Sequence, residues 1–82
     1  MSEEKYIEIS GAFCDAVSWA CRVLAEIDSV PVSHVAIYLA EPSDEMMTYT
    51  LDTSNHHGRK MYILEAFVAE EPHQFRLYLE PA

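Results

Sequence analysis

The groups of this chain that could do chemistry are four histidines, two cysteines and fourteen acidic residues. His56 and His57 adjoin, and His73 follows farther along. A single-chain zinc site draws paired ligands from short, characteristic spacings, and these histidines do not supply them. Cys14 and Cys21 lie in a stretch of helical periodicity, two turns apart, about 10 Å along a helix axis. That separation is too long for a disulfide. Neither a metal, nor another cofactor, nor a disulfide is expected. Cys14 falls near the start of the expected helix, where a thiolate is favoured, but no His–Asp context accompanies it, so both cysteines read as reduced, semi-buried thiols. The carboxylate pairs Asp44-Glu45 and Glu70-Glu71 lie in turn sequences. A general acid needs a carboxyl group raised by desolvation, which a solvated turn does not provide. Neither a Walker A nor a GxGxxG phosphate loop is present. The expectation is a protein that is not an enzyme.

Charge is the dominant feature. Fourteen acidic residues stand against five basic ones, for a net charge of −9 in 82 residues, yet half of the chain is hydrophobic. An acidic disordered segment is poor in large apolar residues; this composition predicts one small folded domain, residues 1–82, with a strongly negative surface. Five cations are too few for direct nucleic-acid binding through phosphate neutralisation. A negative surface instead attracts basic proteins. There is no apolar run of about 20 residues to span a membrane, and Met1-Ser2-Glu3-Glu4 lacks the apolar stretch of a signal peptide. A cytoplasmic protein is expected.

Tyr6-Ile7-Glu8-Ile9 alternates and predicts a strand, with Ser10 as helix N-cap. From Phe13 the period changes to 3.6. Phe13, Ala16, Val17, Ala20, Val23, Leu24 and Ile27 fall on one face; Asp15, Ser18, Arg22 and Glu26 fall on the other. Arg22 and Glu26 form an i,i+4 pair. The helix should stop near Asp28-Ser29, before Pro31. Four further strands follow over 34–40, 46–51, 60–69 and 74–80. They are separated by a Pro- and Asp-bearing turn over 41–45, a polar loop over 52–59, and a tight turn over 70–73. The predicted class is α+β: one amphipathic helix packed on a mainly antiparallel sheet of about five strands, in the order β-α-β-β-β-β.

Successive hairpins place alternate turns at opposite ends of a sheet. Glu41, Asp44, Glu45, Glu70 and Glu71 should therefore share one end, while His56, His57, Arg59 and Lys60 share the other. One helix covers one sheet face, so Tyr38 and Tyr78 should point to the uncovered side, where aromatic residues mark partner surfaces. The fourth strand is apolar on both faces apart from Glu65. Trp19 sits at the margin of the helix stripe, either capping the sheet edge or serving as an exposed anchor.

Two functions fit these features. In the first, a small acidic inhibitor binds a basic nucleic-acid-binding protein or enzyme, with Glu41, Asp44, Glu45, Glu70 and Glu71 standing in for phosphates and Trp19, Tyr38 and Tyr78 as apolar anchors. In the second, a non-enzymatic interaction module forms a homodimer or a subunit of a larger assembly through the exposed sheet face or an open strand edge, and acidity serves solubility. Residues 33–80, about three-fifths of the chain, carry a resemblance. Ser33-His34-Val35-Ala36-Ile37, the acidic turn Pro42-Ser43-Asp44-Glu45, Tyr49-Thr50-Leu51-Asp52-Thr53-Ser54 and the final hairpin together resemble the phage uracil-DNA glycosylase inhibitors. The resemblance implies a phage-type DNA mimic, a class that includes anti-CRISPR and anti-restriction proteins. In that family an adjacent Glu-Ser pair on the first strand contacts the enzyme; here Glu8-Ile9-Ser10 has one residue between.

Overall fold

The computed structural model describes residues 5–53, 60–69 and 71–81. Its elements are β1 (Tyr6–Ser10), α1 (Phe13–Asp28), a single 3-10 turn (Val32–His34), β2 (Ala36–Glu41), β3 (Met46–Asp52), β4 (Met61–Phe67) and β5 (Gln74–Tyr78). The five strands form one sheet in the order β1-β5-β4-β3-β2, with every neighbouring pair antiparallel. The expected α+β architecture and element order are therefore present. β1 and β2 lie at opposite edges, so α1 crosses the sheet between them and the chain returns through three successive hairpin steps.

Alternation along the strands decides the core. Ile9, Phe75, Ala66 and Met47 share one cross-strand row, and Leu77, Leu64 and Tyr49 share the next. Tyr62 and Leu51 form a third row. These rows meet the stripe of Ala16, Ala20 and Leu24, which is fully buried. Alanine at two successive i,i+4 positions keeps this helix face shallow, so larger sheet residues such as Phe75 and Tyr62 fill the space beneath it. The least principal extent is 20 Å, which is one helix layer on one sheet layer, each about 10 Å deep.

The helix starts later than the turn residues suggest. Ser10 pairs with Gln74 in the sheet, and the N-cap is Ala12, which offers no side-chain cap. Gly11 makes the corner at φ 147°, a conformation that a side chain disfavours. It donates its N–H to the His73 carbonyl at 3.1 Å. At the other end Ser29 adopts φ 54°, and the Val30 N–H reaches the Ala25 carbonyl at 3.0 Å, a left-handed helix stop.

Other details differ from expectation, and β4 and β5 are both shorter than the expected 60–69 and 74–80. Residues 32–34 form the 3-10 turn, so β2 begins at Ala36; Pro31 presets the turn. Asp52 continues β3, paired with Met61, and is buried. Ile27 is exposed, while Ala25 is buried. The Arg22–Glu26 contact is not among the ion pairs of the described residues. The structure assigns β4 the expected two-faced character: Tyr62, Leu64 and Ala66 are buried, and Met61, Ile63, Glu65 and Phe67 are half-buried on the opposite side.

The division between a covered centre and open edges has a measurable consequence. Leu77→Ala, in the buried centre, should lower the free energy of unfolding by about 2–5 kcal/mol. Leu39→Ala, at an edge position that is 49% exposed, should change it by less than about 0.5 kcal/mol. Urea unfolding followed by circular dichroism compares the two.

Candidate functional site

The turns over 41–45 and 71–73 lie at the same end of the sheet. Met46 pairs with Phe67, and Phe67 pairs with Gln74. The Val68 N–H donates to the Glu45 carbonyl at 2.9 Å, which ties the two turns together. Ser43 closes its own turn, accepting the Met46 N–H at 2.9 Å while its hydroxyl donates to the Met46 carbonyl. The aromatic cluster below is continuous: Phe13 packs on Tyr49 and on Phe75, and His73 meets Phe75 edge-on. Glu41, Asp44, Glu45 and Glu71 are all exposed there, and among the described residues none of them forms an ion pair with a base. Glu70 lies outside the described residues, as do His56, His57 and Arg59. Lys60, at the opposite end, is held at 3.7 Å from Asp28.

The sheet face away from the helix is more polar than expected. Pairing aligns Glu8, Arg76, Glu65 and Thr48 in one cross-strand row, and Glu41 lies opposite Thr48 at its far end. Arg76 Nε donates to Glu8 Oε2 at 2.9 Å. The guanidinium stands 5.1 Å from the centroids of both the Tyr6 and Phe67 rings, close enough for cation–π attraction. Hydrogen bonding to Glu8 and Tyr78 pushes its pKa further up. Tyr78 donates to Glu65 Oε1 at 2.7 Å, packs its ring on Tyr6 and has its own pKa raised by that bond to Glu65. A shallow depression of about 340 Å³ opens on this face, lined by Glu8, Glu45, Phe67, Ala69, Gln74 and Arg76.

The expected anchors thus stand in three different settings. Tyr38 is 54% exposed on the edge strand β2. Tyr78 is half-buried and committed to Glu65 and Tyr6. Trp19 is half-buried and packed against the core. Glu8 and Glu65 were not anticipated as part of the acidic surface, since only the strand register brings them beside Arg76 and into line with Glu41.

The cysteines are both free. Cys14 is exposed, whereas burial raises the pKa of Cys21. Among the described residues no group of histidine, cysteine and carboxylate ligands could hold a metal ion, and no helix is long and apolar enough to cross a membrane. No protein family, curated protein or solved structure matches the chain.

One polar cluster lies away from the acidic end. The Asp28 side chain is only 2% exposed. It accepts the Thr53 hydroxyl at 2.6 Å and the Tyr62 hydroxyl at 2.9 Å. Burial, then the bond to Asp28, pushes the Tyr62 pKa up to about 12 from 10. The fold therefore keeps a proton that the unfolded chain releases near pH 10. Stability from this site is complete below pH 10 and is lost as pH rises towards 12. The alkaline limb of an unfolding curve should show that loss, and Tyr62→Phe should flatten it. Asp28→Ala should cost about 1–3 kcal/mol at neutral pH, because two hydroxyls lose their acceptor; urea titration provides the value.

Proposed function

We propose that this protein is a small acidic inhibitor that occupies the basic, nucleic-acid-binding groove of another protein. The observation that supports the reading is the gathering of Glu41, Asp44, Glu45 and Glu71 at one end of the sheet, exposed and without basic partners among the described residues. Carboxylates on firmly tied turns offer spaced negative charge without the flexibility of a disordered tail, so little ordering entropy opposes binding. The lysines and arginines that hold phosphates would hold these groups instead. Electrostatic attraction over a net charge of −9 would speed capture and make it sensitive to salt. The open sheet face extends the same surface: Glu8 and Glu65 flank a single guanidinium, and Glu41 ends the same cross-strand row. The resemblance of residues 33–80 to uracil-DNA glycosylase inhibitors points the same way, towards phage counter-defence in a bacterial cytoplasm, including anti-CRISPR and anti-restriction activity.

The test is capture of partners from bacterial lysate on the immobilised protein, with a parallel column carrying Glu41→Gln, Asp44→Asn, Glu45→Gln and Glu71→Gln together. The expected result is a basic nucleic-acid-binding protein, retained at low salt, released at high salt and absent from the amide column. All four positions are exposed, so circular dichroism should be unchanged. A partner retained equally by the amide variant, or one that resists high salt, would overturn the reading.

A further inference from the structure

The edge strand β2 pairs with β3 on one side only. Among the described residues no other segment bonds its outer row of backbone donors and acceptors, which can receive another strand. The usual protections against such pairing are sparse here. Residues 36–40 read Ala-Ile-Tyr-Leu-Ala, with no proline and no charge. Tyr38 is 54% and Leu39 49% exposed. A shift of register between Leu39 and Glu41 leaves Ala40 bulged, which bounds the regular part of the strand without covering it.

The same segment is a gap in the charge of the molecule. No Asp, Glu, Lys or Arg occurs anywhere in residues 29–40. Exposed acidic residues follow the run, at Glu41, Asp44 and Glu45, whereas Asp28, which precedes it, is buried against Thr53 and Tyr62. The apolar run is also nearly symmetric about Tyr38. We infer that β2 is a self-association edge, where a second copy of this chain adds antiparallel across a twofold axis at Tyr38. In that register Tyr38 meets its counterpart on the open face and Ile37 meets Leu39 of the second copy on the helix face, the regular pairing ending at the bulged Ala40. The two sheets become one ten-stranded sheet.

Charge selects this occupant and this direction. Antiparallel pairing sets each Glu41 about six residues along the strand from its twin, about 20 Å, more than two screening lengths at physiological salt. Each acidic turn then lies beside the uncharged 30–35 segment of the other copy. Parallel pairing would place the acidic turns together. The opposite edge, β1, has Glu8 at its centre, so self-pairing there would set two carboxylates directly across from each other, which is unfavourable. The inference does not depend on the proposed inhibitory role, since the tip carboxylates take no part in the strand pairing.

Sedimentation of the full chain across a range of concentrations and salt provides the test. The expected result is a reversible shift from 9.4 kDa to twice that mass, strengthened by added salt because salt screens the repulsion between two acidic copies. Tyr38→Lys should abolish the shift, whereas Ile7→Lys on the other edge and the four-amide tip variant should keep it. In a Cys14→Ser background, Tyr38→Cys should cross-link into dimers under mild oxidation and Ile7→Cys should not. A monomer at every concentration and salt, a dimer that survives Tyr38→Lys, or one lost on Ile7→Lys would each overturn the inference.

Discussion

A single helix must cover a sheet that is wider than itself. With its side chains α1 is about 10 Å across, whereas four interstrand spacings make the sheet about 19 Å wide. The helix can therefore seal only the central strands. β5, β4 and part of β3 supply the fully buried side chains, and the edges are left with Ile7 on β1 and Leu39 on β2 pointing to the helix side yet exposed. The small alanines at 16 and 20 let the helix sit close enough for that limited cover to be dry. Everything else about the surface follows from the mismatch: two open edges, and an uncovered face that must provide its own partners.

The uncovered face solves its problem with side chains rather than a second layer. Arg76 lies between two aromatic rings and against Glu8, and Tyr78 spans the gap to Glu65. Such exposed ion pairs add little stability individually. Their arrangement across strands favours the observed register over its slipped alternatives, since a one-residue slip would carry Arg76 and its partners to the apolar side. The far end of the helix is held by a different device. Asp28 lies at the helix C-terminus, where the backbone dipole disfavours a negative charge. It is tolerated there because Thr53 and Tyr62 donate to it and Lys60 stands nearby. This cluster joins the helix end to β3 and β4, where the shallow helix stripe alone would give weak purchase.

How much of this was legible in the sequence depended on the range of the interaction. Periodicity is local, so the change from alternation at Tyr6-Ile7-Glu8-Ile9 to the 3.6 spacing from Phe13 was readable, and with it the element order and the shared end of the two acidic turns. Cross-strand partners are not local. Nothing in the neighbourhood of Glu8 or Glu65 shows that Arg76 lies between them, and Asp28 reads as an ordinary helix terminator until Tyr62 is placed beneath it. Ser10 has the side chain of a helix cap, but the strand pairing with Gln74 claims it. A tertiary demand there overrides a local preference. Ile27 departs similarly, since the buried line at that end of the helix runs through Ala20, Leu24 and Asp28 and leaves it to one side.

The distribution of charge is best understood against the same geometry. Fourteen carboxylates in so small a domain repel one another, and among the described residues the fold exposes most of them, at turns, on the helix and on the uncovered face, burying only Asp28 and Asp52. The central strands must stay apolar beneath the helix, so acids cannot be spread evenly. They collect where the chain reverses, and two of the three reversals in the β2-to-β5 meander fall within the described residues at one end. The polarity of the molecule is thus a product of topology acting on composition: a meander of hairpins converts an overall excess of acid into a directional one, leaving the uncharged stretch over 29–40 as a gap in an otherwise negative surface.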